Sequence, residues 1–224
     1  MRYGVLSVRQ NNSSRFIMGV FLAAGNSNRM GTSKLALPFC EKTVGSLSLS
    51  KYLASQLQKI AVVTQTTDTL QWMDEDCFAV PVRNKWMQVC CQDAKKGMSH
   101  SLRCGVLAAQ AAGAEGIVIG LADQPFVTTS HINRLCEVFE QKRAAKECLQ
   151  FVCFTNRNLA YPPVLFAASL FPELLQLKGD QGAGRMVQTG FYNGMRIEDE
   201  GSDWYIDVDT PEDYQTCLNI ANKR

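Results

Sequence analysis

The chain has 224 residues, 46% of them apolar and 20% charged, with a formal net charge of +2. That length suits one large α/β domain or two small ones, with enough apolar material for a sizeable core. Dispersed lysines and arginines and a near-neutral balance argue against nucleic acid or an anionic membrane as the main partner. No apolar run approaches the roughly 18 residues that span a bilayer.

In chain order, the first 17 residues, "MRYGVLSVRQNNSSRFI", lack the long apolar centre of a secretory signal. They read as a loose arm (1–17), with the folded domain running over 18–224. "FIMGVFLAA" (16–24) reads as a buried strand and "GSLSLSKYLASQL" (45–57) as a helix. "KIAVVTQ" (59–65) is a β-branched strand, followed by a short helical piece at 67–72 and a strand at "CFAVPV" (77–82). "MSHSLRCGVLAAQAAG" (98–113) reads as a helix closed by a glycine, and "EGIVIGLAD" (115–123) as the strongest strand. A helix over 128–146 with a Thr/Ser start and a strand over 148–154 follow. From about residue 155 the pattern loosens into segments expected to decorate one end of the sheet, until 203–223 closes the chain with a strand and a helix. Continuous apolar strands alternating with helices argue for an α/β fold whose parallel sheet is covered on both faces. Nine cysteines without a C-x-x-C pair read as reduced thiols in a cytoplasmic protein.

The stretch "LAAGNSNRMGTSK" (22–34) leaves the first strand with two glycines, an arginine and a lysine, and no acidic side chain. Gly25 and Gly31 allow close backbone approach, Arg29 offers a planar fork of donors, and Lys34 a mobile charge. Such a loop suits a polyphosphate, although neither the P-loop nor the G-x-G-x-x-G fingerprint is present.

These residues resemble a known family. "LAAGNSNRMGTSKLALPF" is similar to the signature of the MobA-like nucleotidyltransferases, and within them to the molybdenum cofactor cytidylyltransferases. "GMSHSLRCG" (97–105), "GLADQPFV" (120–127), "YPPVLFAASLFPELLQLKGDQGA" (161–183) and "DVDTPEDY" (207–214) extend the match over about 18–220. The resemblance implies a single Rossmann-like domain with a mostly parallel, doubly wound sheet. It also implies CTP and molybdenum-molybdopterin as substrates, Mg²⁺ as cofactor, and a xanthine dehydrogenase-type molybdenum hydroxylase as recipient of the product.

By the same resemblance, Leu22, Ala23, Ala24, Gly25, Ser99 and Ser101 belong to the nucleotide site. Arg29 holds the outer phosphates and Lys34 the reacting α-phosphate. Asp123 and Asp209 match metal positions, with Asp207 an alternative second ligand, and Asp180 and Arg185 fall near the acceptor. The chemistry agrees with this division. Joining two phosphates brings anions together, so catalysis rests on positioning and charge neutralisation, and Mg²⁺ favours carboxylates with substrate oxygens. The small polar residues opening the 98–113 helix suit N–H donation to a ligand or an N-cap, while His100 and His131 read as exposed. Ala24 stands where guanylyl relatives usually carry glycine. The chain departs from the pattern at His100 and at "AYPPVLF" (160–166), in the acceptor half. Transfer to another phosphorylated acceptor, or delivery of the cofactor without chemistry, are the competing readings.

Overall fold

The structure is a computed structural model that describes residues 16–25, 33–200 and 203–223. The arm up to residue 15 and the loop residues 26–32, including Arg29 and Gly31, lie outside the described residues.

Strand β1 (Ile17–Leu22) is followed by a small hairpin of β2 (Pro38–Phe39) and β3 (Lys42–Thr43), then by helix α1 (Val44–Leu53). Next come β4 (Lys59–Gln65), β5 (Trp86–Cys91), α2 (Met98–Ala111), β6 (Gly116–Leu121) and α3 (Thr129–Ala144). The last third adds β7 (Phe151–Asn156), β8 (Leu159–Ala167), the short helices α4 (Phe171–Leu174) and α5 (Gly184–Gln188), β9 (Gly194–Glu198) and α6 (Pro211–Ala221). The seven-stranded sheet has the order β5-β4-β1-β6-β8-β7-β9, and β8 alone runs against both of its neighbours. It is the mostly parallel α/β sheet that the alternation predicts.

Burial follows the strand period of two. On β1, Ile17, Phe21 and the following Ala23 face one core, while Met18, Val20, Leu22 and Ala24 face the other. The first core packs under Leu49 and Tyr52 of α1 and Ile132 and Leu135 of α3. The second packs under Leu102, Val106 and Ala109 of α2. Helix α2 sits so close to the sheet that a Cβ at Gly105 would lie 2.3 Å from Val20 Cγ1. A third cluster, built on Phe39, Val44, Phe126, Val208 and Cys217, fastens α6 beside the β2–β3 hairpin.

Several expectations are corrected. The apolar "CFAVPV" is not a strand: it forms turns around two short 3₁₀ segments, with Phe78 44% and Val80 75% exposed. Pro81 cannot donate to a ladder, and the strand there is instead the half-exposed β5, whose mixed pattern hides it. The 67–72 piece is turns, and the first helix ends at Leu53. The 155–200 region does not merely decorate the sheet but supplies β8 and β9. Its hairpin turns through Arg157 and Asn158, both at positive φ (49° and 65°), as a two-residue loop requires. Pro162 and Pro163, which lack N–H groups, fall where the β7–β8 register shifts. The strand expected after 203 is absent: Trp204 is buried there, and Val208 N donates to Asp123 O at 2.9 Å.

Candidate active site

Strand order reverses at β1, since the chain builds outward through β4 and β5 and then returns to place β6 on the other side. Ligands of open α/β sheets bind beyond the strand carboxyl ends at such a point. A cavity of about 440 Å³ lies there. Leu22, Ala23, Ala24 and Gly25, which run off the end of β1, form one wall, and Lys34, Ser101 and Asp123 also line it. The first wall is tied to both neighbouring strands. Ala23 N donates to Val63 O at 2.8 Å, Ala122 N to Leu22 O at 3.1 Å, and Gln65 Nε2 to Ala24 O at 3.2 Å.

Three elements meet at the cavity floor. Lys34 opens a 3₁₀ turn and is only 7% exposed, Asp123 lies two residues past β6, and Asp209 immediately precedes the N-cap of α6. A reciprocal capping box between Thr210 and Asp213, with Pro211 in the first turn, fixes the entry to α6 and with it Asp209. Lys34 Nζ donates to Asp123 Oδ2 at 2.5 Å and to Asp209 Oδ1 at 2.6 Å. Asp207 lines the same cavity.

Burial alone would lower the Lys34 pKa, but Asp123 and Asp209 outweigh it and hold the ammonium above its ordinary value. The Asp123 carboxyl is pushed up by burial and by Asp209, against the pull of Lys34. Asp207 is also pushed up, first by burial and then by Asp123 and Asp209. The directions are compatible, because Lys34 has two anionic partners while each carboxylate has anionic neighbours. Among the described residues four carboxyl groups (Asp123, Asp180, Asp207 and Asp209) and one ammonium line the cavity, a formal surplus of three negative charges when all are ionised.

A triphosphate would be repelled by that surplus unless a cation accompanied it. The residues fit one: Asp123 Oδ1 is buried and has no hydrogen-bond partner, which suits a hard cation. Among the described residues no cluster of three or more His, Cys, Asp or Glu is arranged to enclose a metal. Mg²⁺ bound by one or two carboxylates, with water and phosphate oxygens completing its shell, needs no such cage.

A second cavity of about 800 Å³ adjoins the first and shares Leu22, Met98, Leu121 and Asp180 with it. Arg185 lines it too, so both acceptor residues expected from sequence border this space. Ala160 and Pro162 also line it, whereas Tyr161 turns away to pack on Trp204 and Tyr205.

Two expectations change at α2. Ser101 lines the nucleotide cavity, but Ser99 does not: its hydroxyl is buried without a partner, and its N–H is taken by Gly179 O at 3.0 Å. The helix start is therefore partly capped by protein rather than left open to a ligand. Gly97 (φ 126°) and Met98 join the wall unforeseen, and a glycine directly before a helix start was the available signal. His131 is not exposed. Its side chain is 15% accessible, bonded through Nε2 to Asp199 and packed edge-on against Phe154, and its Nδ1 accepts from Thr128 N in the α3 capping box.

Comparison with known proteins gives the family. Residues 19–195 match the family described as MobA-like NTP transferase domain. The chain belongs to the MobA-like NTP transferase family. It is 41% identical over 203 residues to the purine catabolism protein PucB of Bacillus subtilis (strain 168), covering 90% of this chain and 95% of that one. Among solved structures it is similar to Rv0371c of Mycobacterium tuberculosis H37Rv, with 26% identity, a TM-score of 0.70 and coverage of 91% and 98%. Rv0371c has also been solved as a complex with manganese, which matches this chain at 25% identity and a TM-score of 0.67, again over 91% and 98%. The protein is thus a nucleotidyltransferase of MobA-like type. Asp207 and Asp209 lie beyond the stretch matched to the MobA-like model, and the ion pair to Lys34 is what brings Asp209 to the site.

Proposed function

We propose that the protein transfers CMP from CTP to the phosphate of molybdenum-molybdopterin, releasing pyrophosphate, for maturation of xanthine dehydrogenase-type hydroxylases. The observation that carries this reading is the pair of adjoining cavities, with Lys34, Asp123 and Asp209 clustered in the first and Asp180 shared by both. Likeness to a purine catabolism protein supports the choice of acceptor.

In this reading residues 18–224 act as one domain with 1–17 as an appended arm, in the cytoplasm. No helix among the described residues is long and apolar enough to cross a membrane. The end of β1, from Leu22 to Gly25, and Ser101 receive the nucleotide; Ser99 supports the helix start beneath it. Asp123 and Asp209, with Asp207 beside them, would hold Mg²⁺, which when bound supplies positive charge to the phosphates. Lys34 is already an ammonium at the cavity floor and bears on the α-phosphate, while the outer phosphates are assigned to Arg29, which lies outside the described residues. An acceptor phosphate oxygen, placed by Asp180 and Arg185, attacks the α-phosphorus as its bond to the β-phosphate oxygen breaks. Neutralising the charges brought together supplies most of the acceleration.

The base is read at Ala24, which lines the cavity and is 2% exposed. A glycine there would leave room for a purine, whereas the alanine methyl favours a pyrimidine. One methyl in a pocket is worth about 1–3 kcal/mol, or roughly 10–200-fold. CTP is therefore expected to outcompete GTP within that range, and Ala24→Gly to narrow the gap. Competition between the two triphosphates for one acceptor tests this, and equal use by the unaltered protein would remove the cytidylyl assignment.

A further inference from the structure

The wall between the two cavities is held from behind. Helix α4 ends at Leu174, so the carbonyls that follow have no helical donor of their own. Arg103, on the second turn of α2, reaches two of them: Nε donates to Leu175 O and Nη2 to Leu177 O, both at 3.3 Å. One turn earlier, Ser99 N donates to Gly179 O at 3.0 Å. Gly97 completes the seam, since a Cβ there would stand 2.6 Å from the Gly179 carbonyl and 2.9 Å from Asp180 Oδ1. Residues 175–180 thus follow the first turns of α2 at three successive points. Lys178 and Asp180 of that stretch, and Arg185 beyond it, line the larger cavity. Arg103 itself lines neither cavity.

We propose that Arg103 is a positioning residue, whose fork on the Leu175 and Leu177 carbonyls fixes the 178–185 loop against α2 and so sets affinity for the second substrate without touching it. The assignment of a catalytic consequence rests on the proposed nucleotidyl transfer. The β1 side of the nucleotide cavity does not depend on this contact, because the end of β1 is tied to β4 and β6 by its own hydrogen bonds. The acceptor loop has less to hold it: α4 is a single turn, and the N–H groups of Leu175, Gln176 and Leu177 bond back to that turn. Arg103 and Ser99 supply the hydrogen bonds from α2 to Leu175, Leu177 and Gly179. Lysine cannot replace the fork, as its single ammonium lacks the planar pair of donors.

The test compares Arg103→Ala and Arg103→Lys with the unaltered protein. Hydrogen exchange is read first, on the free protein. Arg103→Ala is expected to speed exchange of the hydrogen-bonded Gln176, Leu177 and Gln181 amides within 176–183 by about tenfold or more while β1 and β6 stay protected. CTP affinity, measured calorimetrically with Mg²⁺, should stay within about twofold, while KM for molybdenum-molybdopterin rises by about tenfold with a smaller change in kcat. Arg103→Lys should recover only part of both effects. Unchanged exchange in 176–183 would overturn the proposal, as would CTP affinity and acceptor KM worsening together. Exchange is measured without substrate, so it judges Arg103 even if molybdopterin proves not to be the acceptor.

Discussion

Lys34→Met is expected to lower turnover by about 10²–10³-fold while the protein remains folded, the usual loss when one preorganised electrostatic contact is removed. Methionine keeps most of the buried stem, which matters because Lys34 is only 7% exposed. The change also leaves Asp123 and Asp209 without their shared partner. Breaking a buried ion pair costs about 3–5 kcal/mol, and less here because the Asp209 side chain is 43% exposed and screened by solvent. The pH dependence has a definite sign. Burial already holds the Asp123 carboxyl above its ordinary value, and loss of the ammonium raises it further. A carboxyl with a folded pKa above its unfolded one favours the fold when protonated. Its penalty is therefore absent near pH ~4 and grows as pH climbs through the folded value. Thermal unfolding should show the variant close to the unaltered protein in mild acid and furthest below it at neutral pH. Near-normal turnover in the folded variant would remove Lys34 from the mechanism.

Asp123→Asn is expected to be the more damaging of the two carboxylate substitutions, with Asp209→Asn milder. Asp123 lies two residues past β6, and its Oδ1 is buried with no protein partner, whereas Asp209 is more exposed. An amide is a poor ligand for a hard cation and brings no negative charge. We expect the Mg²⁺ concentration for half-maximal turnover to rise by about tenfold or more in Asp123→Asn, with a smaller rise in Asp209→Asn. Asp123→Asn also takes one of two carboxylate partners from the buried Lys34 ammonium, so stability should fall at neutral pH. The loss should be smaller than for a fully buried pair, because burial already disfavours the Asp123 charge and Asp209 remains. An unchanged Mg²⁺ response in both variants would place the metal ligands elsewhere.

The parts of the fold legible in the sequence are those where burial imposes a pattern. β1, β4 and β6 are covered on both faces, and their apolar runs mark them directly. β5 and β9 are edge strands with half-exposed faces, so "WMQVCC" and "GMRIE" carry no such mark. β8 was concealed by its prolines and by a hairpin turn built from Arg157 and Asn158 instead of glycine. At the site, Lys34, Asp123 and Asp209 stand far apart in the chain: resemblance gave each a role, and only the structure shows the two carboxylates meeting on one ammonium. The role of Arg103 was invisible, because its partners are main-chain carbonyls, which leave no trace in residue identity.

The proposed transfer of a cytidylyl group onto molybdenum-molybdopterin can be followed from both of its products. The most direct measurement incubates the full chain with CTP labelled at the α-phosphate, Mg²⁺ and molybdenum-molybdopterin, and follows both the label and pyrophosphate. Label is expected to enter the pterin product in equal amount with the pyrophosphate released, and neither should appear without the acceptor. Intact CTP and unmodified molybdopterin after incubation with folded protein would contradict it.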